Sequence, residues 1–340
     1  MNNLSINNDP IDAVITWVDG NDPQHIAKRN LYLNEIDQET TGCATLEGRF
    51  LQINEIKYCI FSIRKFAPLI RNIFLVTDEQ CPNWLTEKLR ENLRVTIIDH
   101  KVIFRDHLQY LPTFNTRSIN TLLWKIPDLS ENFLVFNDDC FLVNQTSPVD
   151  FYVGENLILR GHWRLSHLTL PRIIKRSVKN VLIGRVFKEN FRKIQNHYTM
   201  GAKLAGYDKE YFESVHAPFP MKKSVIENFF RENQELLENN IRYRFRNKNQ
   251  FTASGLFFHL ILKEGKAIVK DGNDSIMIIP RIGGLKQDRY KFDLVNQKSN
   301  DIKFLCFQDL FYLKQENPHE FAEVIDYLEK TIMSNQSRKI

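Results

Sequence analysis

The 340-residue sequence lacks most of the short signatures that mark nucleotide-using and hydrolytic enzymes. No GxxxxGK[ST] and no GxGxxG occurs, so neither a P-loop nor a dinucleotide-binding glycine turn is present to cradle phosphates. HExxH and GxSxG are missing too, which removes the zinc-protease and α/β-hydrolase readings. The 5 cysteines (Cys43, Cys59, Cys81, Cys140 and Cys306) are scattered without any CxxC spacing. That argues against a disulfide framework and a zinc site, and for reduced thiols in a cytoplasmic protein. No apolar run reaches the roughly 18 residues of a membrane-spanning helix. The start MNNLSINNDP has no basic stretch followed by an apolar core, so no signal peptide is expected.

What is present is ordinary core material. Hydrophobic residues make up 43% and charged residues 26%, and 25 Phe with 11 Tyr exclude a disordered chain. Lys and Arg number 46 against 41 Asp and Glu, a net charge of +5 that is too mild for a dedicated nucleic-acid binder. The excess is local. Residues 155–200 carry a run of Arg and Lys against only Glu155 and Glu189, pointing to phosphates, anionic polymers or a membrane surface as partners of that segment. Its cations are interleaved with Trp163, Phe187, Phe191 and Tyr198, but no nucleic-acid motif accompanies them.

Apolar runs at 11–18, 73–77, 95–98 and 133–136 read as buried strands, each ending at an acidic or Asn-rich turn. Helical spacing over 54–66, 83–92 and 115–124 separates them. This alternation predicts right-handed βαβ units in an α/β fold, a mostly parallel Rossmann-like sheet flanked by helices. Further helices are expected over 222–239 and 253–263, short strands over 267–269 and 276–279, and a strand at 304–307 returning to the sheet. The domain expectation is one catalytic unit over 1–340, with a partly helical basic insertion at 155–200 and an amphipathic helix within 316–340.

Ligands of parallel sheets bind at the carboxyl ends of the strands, where Asp19, Asp78, Asp99, Asp138 and Asp139 fall. FLVFNDDCF sets two adjacent carboxylates after a buried strand, a donor set suited to Mg²⁺ or Mn²⁺ on a diphosphate. The alternative is an Asx turn closing the strand. TWVDGNDP offers Asp19 and Asp22 around Gly20, which would let backbone N–H groups approach a ligand, while Trp17 could pack on a base or sugar. A plain turn over a core tryptophan explains that segment equally well. His216 in VHAPFP is held between prolines and suits a general base or phosphate donor, or a structural role. Arg242, Arg244 and Arg246 alternate, forming an anion clamp if extended and a solvated edge if helical.

Taken in order, these segments resemble the Stealth family of hexose-1-phosphate transferases, which includes bacterial capsular polysaccharide phosphotransferases and the catalytic part of the lysosomal-enzyme GlcNAc-1-phosphotransferase. IDAVITWVDGNDP resembles the first signature region, and RFLQINEIKYCIF through LPTFNTRSIN and FLVFNDDCFLV the second. VHAPFPMKK through FRNKNQFTASGLFFH resembles the third, and KFLCFQDLF the fourth. The resemblance implies a GT-A-like fold, with Asp19 in the active centre and Asp138 and Asp139 at the metal and diphosphate. It implies that His216 and Arg246 face the transferred phosphate, that Asn115 and Arg117 lie in the substrate cleft, and that Asp309 serves as a further carboxylate. Thr116, Asn120 and Gln308 depart from the family pattern. The implied reaction passes a sugar-1-phosphate from a nucleotide-diphosphate sugar, UDP-HexNAc for preference, to a polysaccharide hydroxyl with release of UMP. The rival is a metal-dependent glycosyltransferase releasing UDP. A cytoplasmic enzyme at the inner membrane surface is expected, with no nucleic-acid partner.

Overall fold

The structure, a computed structural model, describes residues 9–36, 39–40, 50–166, 198–280, 284–286, 288–297 and 301–334. Most of the basic segment and the end of the expected 316–340 helix lie outside these residues. The strands are β1 (Ile11–Thr16), β2 (Ile70–Thr77), β3 (Val95–Asp99), β4 (Asn132–Asn137), β5 (Cys140–Leu142), β6 (Tyr152–Val153), β7 (Asn156–Leu165), β8 (Glu210–Ser214), β9 (Phe219–Lys222), β10 (Ala267–Lys270), β11 (Ser275–Ile278) and β12 (Phe304–Phe307). The α-helices are α1 (Pro23–Leu31), α2 (Glu55–Phe66), α3 (Glu87–Asn92), α4 (His100–Ile103), α5 (Thr116–Thr121), α6 (Lys223–Glu232), α7 (Gln234–Ile241), α8 (Ala253–Lys263), α9 (Arg289–Asn296), α10 (Leu310–Glu316) and α11 (Pro318–Leu328).

The central sheet runs β3-β2-β1-β4-β9, with its first four strands mutually parallel and β9 antiparallel at the edge. This is the mostly parallel α/β arrangement expected from the sequence. Both faces of β1 are covered, which is why it reads as the nearly unbroken apolar run IDAVIT. Its one charge, Asp12, is wholly buried and clasped by Arg71 through bonds of 3.0 and 2.6 Å, with the Ser130 N–H at 2.8 Å. That acid anchors the strand and leaves the chemistry to the opposite end.

A second sheet orders β10-β7-β6, with β8 on β7, and a third orders β11-β12-β5. Phe304–Phe307 is therefore a strand, but it pairs with β5 and β11 and does not return to the central sheet. The helix expected over 222–239 is two, α6 and α7, broken at Asn233, whose side-chain amide donates back to Phe229 O at 2.8 Å. α3 starts four residues later than the periodicity suggests because Thr86 caps it, accepting from Leu89 N–H. α11 begins at Pro318 and passes into a π-helical turn over Glu329–Met333.

Candidate active site

The parallel strands carry their carboxyl ends to one edge of the sheet. Asp78 follows β2, Asp99 ends β3, Asp138 follows β4, and Asp19 lies three residues beyond β1.

Asp138 and Asp139 form the tight turn between β4 and β5 and are both half-buried. The turn is fixed from outside: Phe307 N–H donates to Asp139 O at 2.9 Å, tying it to the end of β12. Burial first, then the charges of Asp139 and Glu55, push the Asp138 carboxyl well above the usual carboxylate range. Burial also raises Asp139, against the attraction of His216 and the thiol donors Cys140 and Cys306. Glu55, on the first turn of α2 and buried, is raised by burial and by Asp139, while the Ile53 N–H pulls it back. Sequence reasoning missed Glu55. Its only signal was an acid at a helix start, next to Asn54, which adopts a left-handed φ of 69°. Among the described residues, no Lys, Arg or His lies within ion-pair distance of Asp138, Asp139 or Glu55. Carboxylates that act on one another and have no cationic partner among the described residues suit a hard divalent cation, although the oxygens of these three do not converge within 4.8 Å as a set. The third expected carboxylate, Asp309, sits two residues past β12, exposed and with a φ of 56°.

His216 lies in the connection from β8 to β9, fixed by bonds of 3.0 Å from Val215 N–H to Arg160 O and from Ala217 N–H to Val215 O. Its Nδ1 is buried and has no hydrogen-bond partner among the described residues. Burial lowers its pKa, opposed by Asp139 and Glu213, so the ring is predominantly neutral at neutral pH. The structure thus brings Asp138, Asp139, Glu55 and His216 into one electrostatically coupled group.

A second group is built where residues 240–250 pack on α5. Asn115 is wholly buried, and its amide donates to Tyr243 O and Phe245 O at 3.0 Å each and to Gln250 Oε1 at 2.8 Å. Its Oδ1 accepts from Arg117 N–H, capping α5. With its amide hydrogens spent on the framework, Asn115 holds the loop and does not face a substrate cleft. Arg246 donates to Thr116 Oγ1 and Arg117 to Asn247 O at 3.0 Å, both half-buried. The alternating arginines do not act as one clamp: Arg244 pairs with Glu35 at 3.0 Å and lies 4.5 Å over the Tyr32 ring, while Arg242 lies over Tyr243. The charges of Arg117 and Glu213 both act on the half-buried Tyr198, and Glu213 also acts on His216.

Around Asp19 the structure favours the framework reading. Gly20 is needed because a Cβ there would lie 2.1 Å from Phe50 O, to which Gly20 N–H donates at 2.8 Å. The close approach is to the chain's own backbone. Gln80 bridges the loop, accepting from Asp19 N–H at 2.9 Å and donating to Asp19 O at 3.0 Å and Asp22 Oδ2 at 2.9 Å. Asp22 caps α1, accepting from Gln24 N–H at 2.8 Å, and the Gln80 bond holds its carboxyl below the usual range. Trp17 is a core residue whose buried indole N–H has no partner among the described residues. Asp19 itself is half-buried, its carboxylate accepting from Asn21 N–H at 3.0 Å.

Residues 9–37 match the family model described as Stealth protein CR1, conserved region 1, and residues 49–159 match Stealth protein CR2, conserved region 2. A capsular polysaccharide phosphotransferase of Actinobacillus pleuropneumoniae is 33% identical over 261 residues, 76% of this chain and 67% of that protein. The chain belongs to the Stealth family.

Other Stealth relatives agree. An exopolysaccharide phosphotransferase of Lactiplantibacillus plantarum is 30% identical over 258 residues, 71% of this chain and 72% of that one. A capsular polysaccharide phosphotransferase of Neisseria meningitidis serogroup B is 42% identical over 151 residues, 44% of this chain and 39% of that one. The Actinobacillus alignments span about two thirds of those relatives' length. Among solved structures, the galactosyltransferase LgtC aligns with 96% of this chain and 99% of its own at 11% identity and a TM-score of 0.43. This Stealth protein is a transferase enzyme.

Proposed function

We propose that this Stealth protein transfers a sugar-1-phosphate from a nucleotide-diphosphate sugar, UDP-HexNAc for preference, to a hydroxyl of a growing capsular polysaccharide. The products are a phosphodiester and UMP. One observation carries the reading: a half-buried carboxylate pair with no cationic partner among the described residues, acting on a neutral imidazole at the carboxyl ends of parallel strands.

Asp138 and Asp139, with Asp309 or Glu55, would hold Mg²⁺ or Mn²⁺, which when bound offsets charge on a diphosphate. His216, kept neutral by burial, takes the acceptor hydroxyl's proton as the oxygen attacks the sugar-bearing phosphorus. Arg246 and Arg117 stabilise the oxygens of the transferring phosphoryl group. Asp19 remains a second proton acceptor or nucleophile at the same sheet edge. Trp17, Asp22, Asn115 and Arg244 are assigned to holding the loops that shape this edge. The catalytic unit takes in the whole chain, and the basic segment 155–200 binds the polyanionic product, on the cytoplasmic side of the inner membrane where polymer is assembled.

The test supplies UDP-sugars, Mg²⁺ and a capsule oligosaccharide. Expected are UMP and a phosphodiester resonance in the phosphorus NMR spectrum; release of UDP would replace this reading with glycosyl transfer. Chelation should abolish turnover, and Mg²⁺ or Mn²⁺ should restore it.

A further inference from the structure

Two of the chain's thiols meet beside the carboxylate turn. Cys140 and Cys306 are directly opposite each other in the antiparallel pair of β5 and β12. The bonds from Phe307 N–H to Asp139 O at 2.9 Å and from Val143 N–H to Lys303 O at 3.0 Å set the ladder's phase. They place the cysteines at a non-hydrogen-bonded position, where facing side chains approach most closely. Both are buried and free. Cys140 Sγ lies 3.6 Å from Asp139 Oδ1, and the two sulfurs and a carboxylate oxygen of Asp139 all lie within 4.8 Å of one another. Tetrahedral zinc, with Zn–S of about 2.3 Å and Zn–O of about 2.0 Å, sets an S···O pair about 3.5 Å apart and an S···S pair about 3.8 Å apart. The S···O separation already fits, and the sulfurs need to close by at most about 1 Å.

We propose that Cys140, Cys306 and Asp139 form a binding site for a thiophilic divalent cation, Zn²⁺ or its analogue Cd²⁺, with the fourth position left to water. Binding exchanges two S–H bonds for two sulfur–metal bonds and releases two protons to solvent, with no change in oxidation state. Thiolates prefer such ions to Mg²⁺, so the site is chemically distinct from the all-oxygen set of Asp138 and Glu55 but shares Asp139 with it. If the phosphotransfer reading holds, and this clause alone rests on it, the cation takes Asp139 from the donor diphosphate and inhibits.

Cd²⁺ titration of the fully reduced wild-type protein, without Mg²⁺, should raise a thiolate-to-cadmium charge-transfer band. Cys140→Val with Cys306→Val keeps Cys43, Cys59 and Cys81 and should lose that band; an undiminished band in this variant overturns the site. X-ray absorption on zinc-loaded wild-type protein needs no variant. Two sulfurs with oxygen or nitrogen neighbours are expected, and a shell without sulfur overturns the proposal. Two-sulfur binding that leaves turnover untouched upholds the site and removes Asp139 from the proposed reaction, so the two readings fail separately.

Discussion

Buried imidazoles on the strand-end edge give the protein residue-level responses to acid. Burial drives the His100 pKa down to about 4 from 6.5, against the pull of Asp78 and Asp99. The unfolded chain therefore binds more protons between those values, and stability falls as pH drops from about 6.5 toward 4. The loss is on the order of 3 kcal/mol. His100→Asn should flatten this slope in denaturant titrations at pH 7 and 5. The His216 pKa is also lowered, so the acid limb of kcat/KM should lie below the ordinary imidazole value of 6.5; a limb above it would take the base role from His216. Asp138→Asn and Asp139→Asn should each cost at least about 100-fold in kcat with the circular dichroism spectrum unchanged. Asn115→Ala should act the other way. It removes the donor from the buried Phe245 O, while Tyr243 O keeps Ser118 Oγ at 3.1 Å and Gln250 Oε1 keeps Asn247 N–H at 3.0 Å, and should cost about 1–3 kcal/mol in denaturant stability before any specific effect on catalysis.

Elements buried on both faces were legible because their chemistry is local. β1 to β4 appear as apolar runs, and α8 and β12 have the predicted bounds. α1 escaped the periodicity because PQHIAKRNL has no continuous apolar stripe; its start is written in Asp22 and Pro23, a cap and a first-turn proline. Asp22→Ala should therefore cost about 1–2 kcal/mol, through the lost cap and the loss of one of the two bonds donated by the Gln80 amide, a change visible in the melting transition. β5 is three residues long and finds its partner far along the chain, so it had no local signal, and neither did the pairing that takes β11 and β12 into a third sheet. The same limit governs the site. Asp138, Asp139 and His216 stand in recognisable motifs, whereas Glu55 is distinguished only by where α2 delivers it. Asn115, read as a site residue from its motif, is a loop clasp because of acceptors some 130 positions away.

At the scale of the whole molecule, charge is separated from chemistry. Asp78 is paired with Lys28 at 3.2 Å, whereas Asp138 and Asp139 have no cationic partner among the described residues, and the basic excess is concentrated in residues 155–200. Replacing Arg172, Lys175, Arg176 and Lys179 by Gln should weaken polyanion binding and its salt dependence more than turnover of a short acceptor. Equal losses in both assays would put the segment inside the active site. No helix among the described residues is long and apolar enough to cross a membrane. The antiparallel pair β7 and β8 adds a consequence of a different kind. Ser166 N–H donates to Lys209 O at 2.8 Å just before the chain leaves the described residues, and where it re-enters, Tyr198 stacks on Tyr211 of β8 with ring centres 6.3 Å apart. Departure and return are fastened to the same ribbon. One ribbon thus sets the positions of two points far apart in sequence, and a substitution that loosens it, Tyr211→Ala, should disturb both.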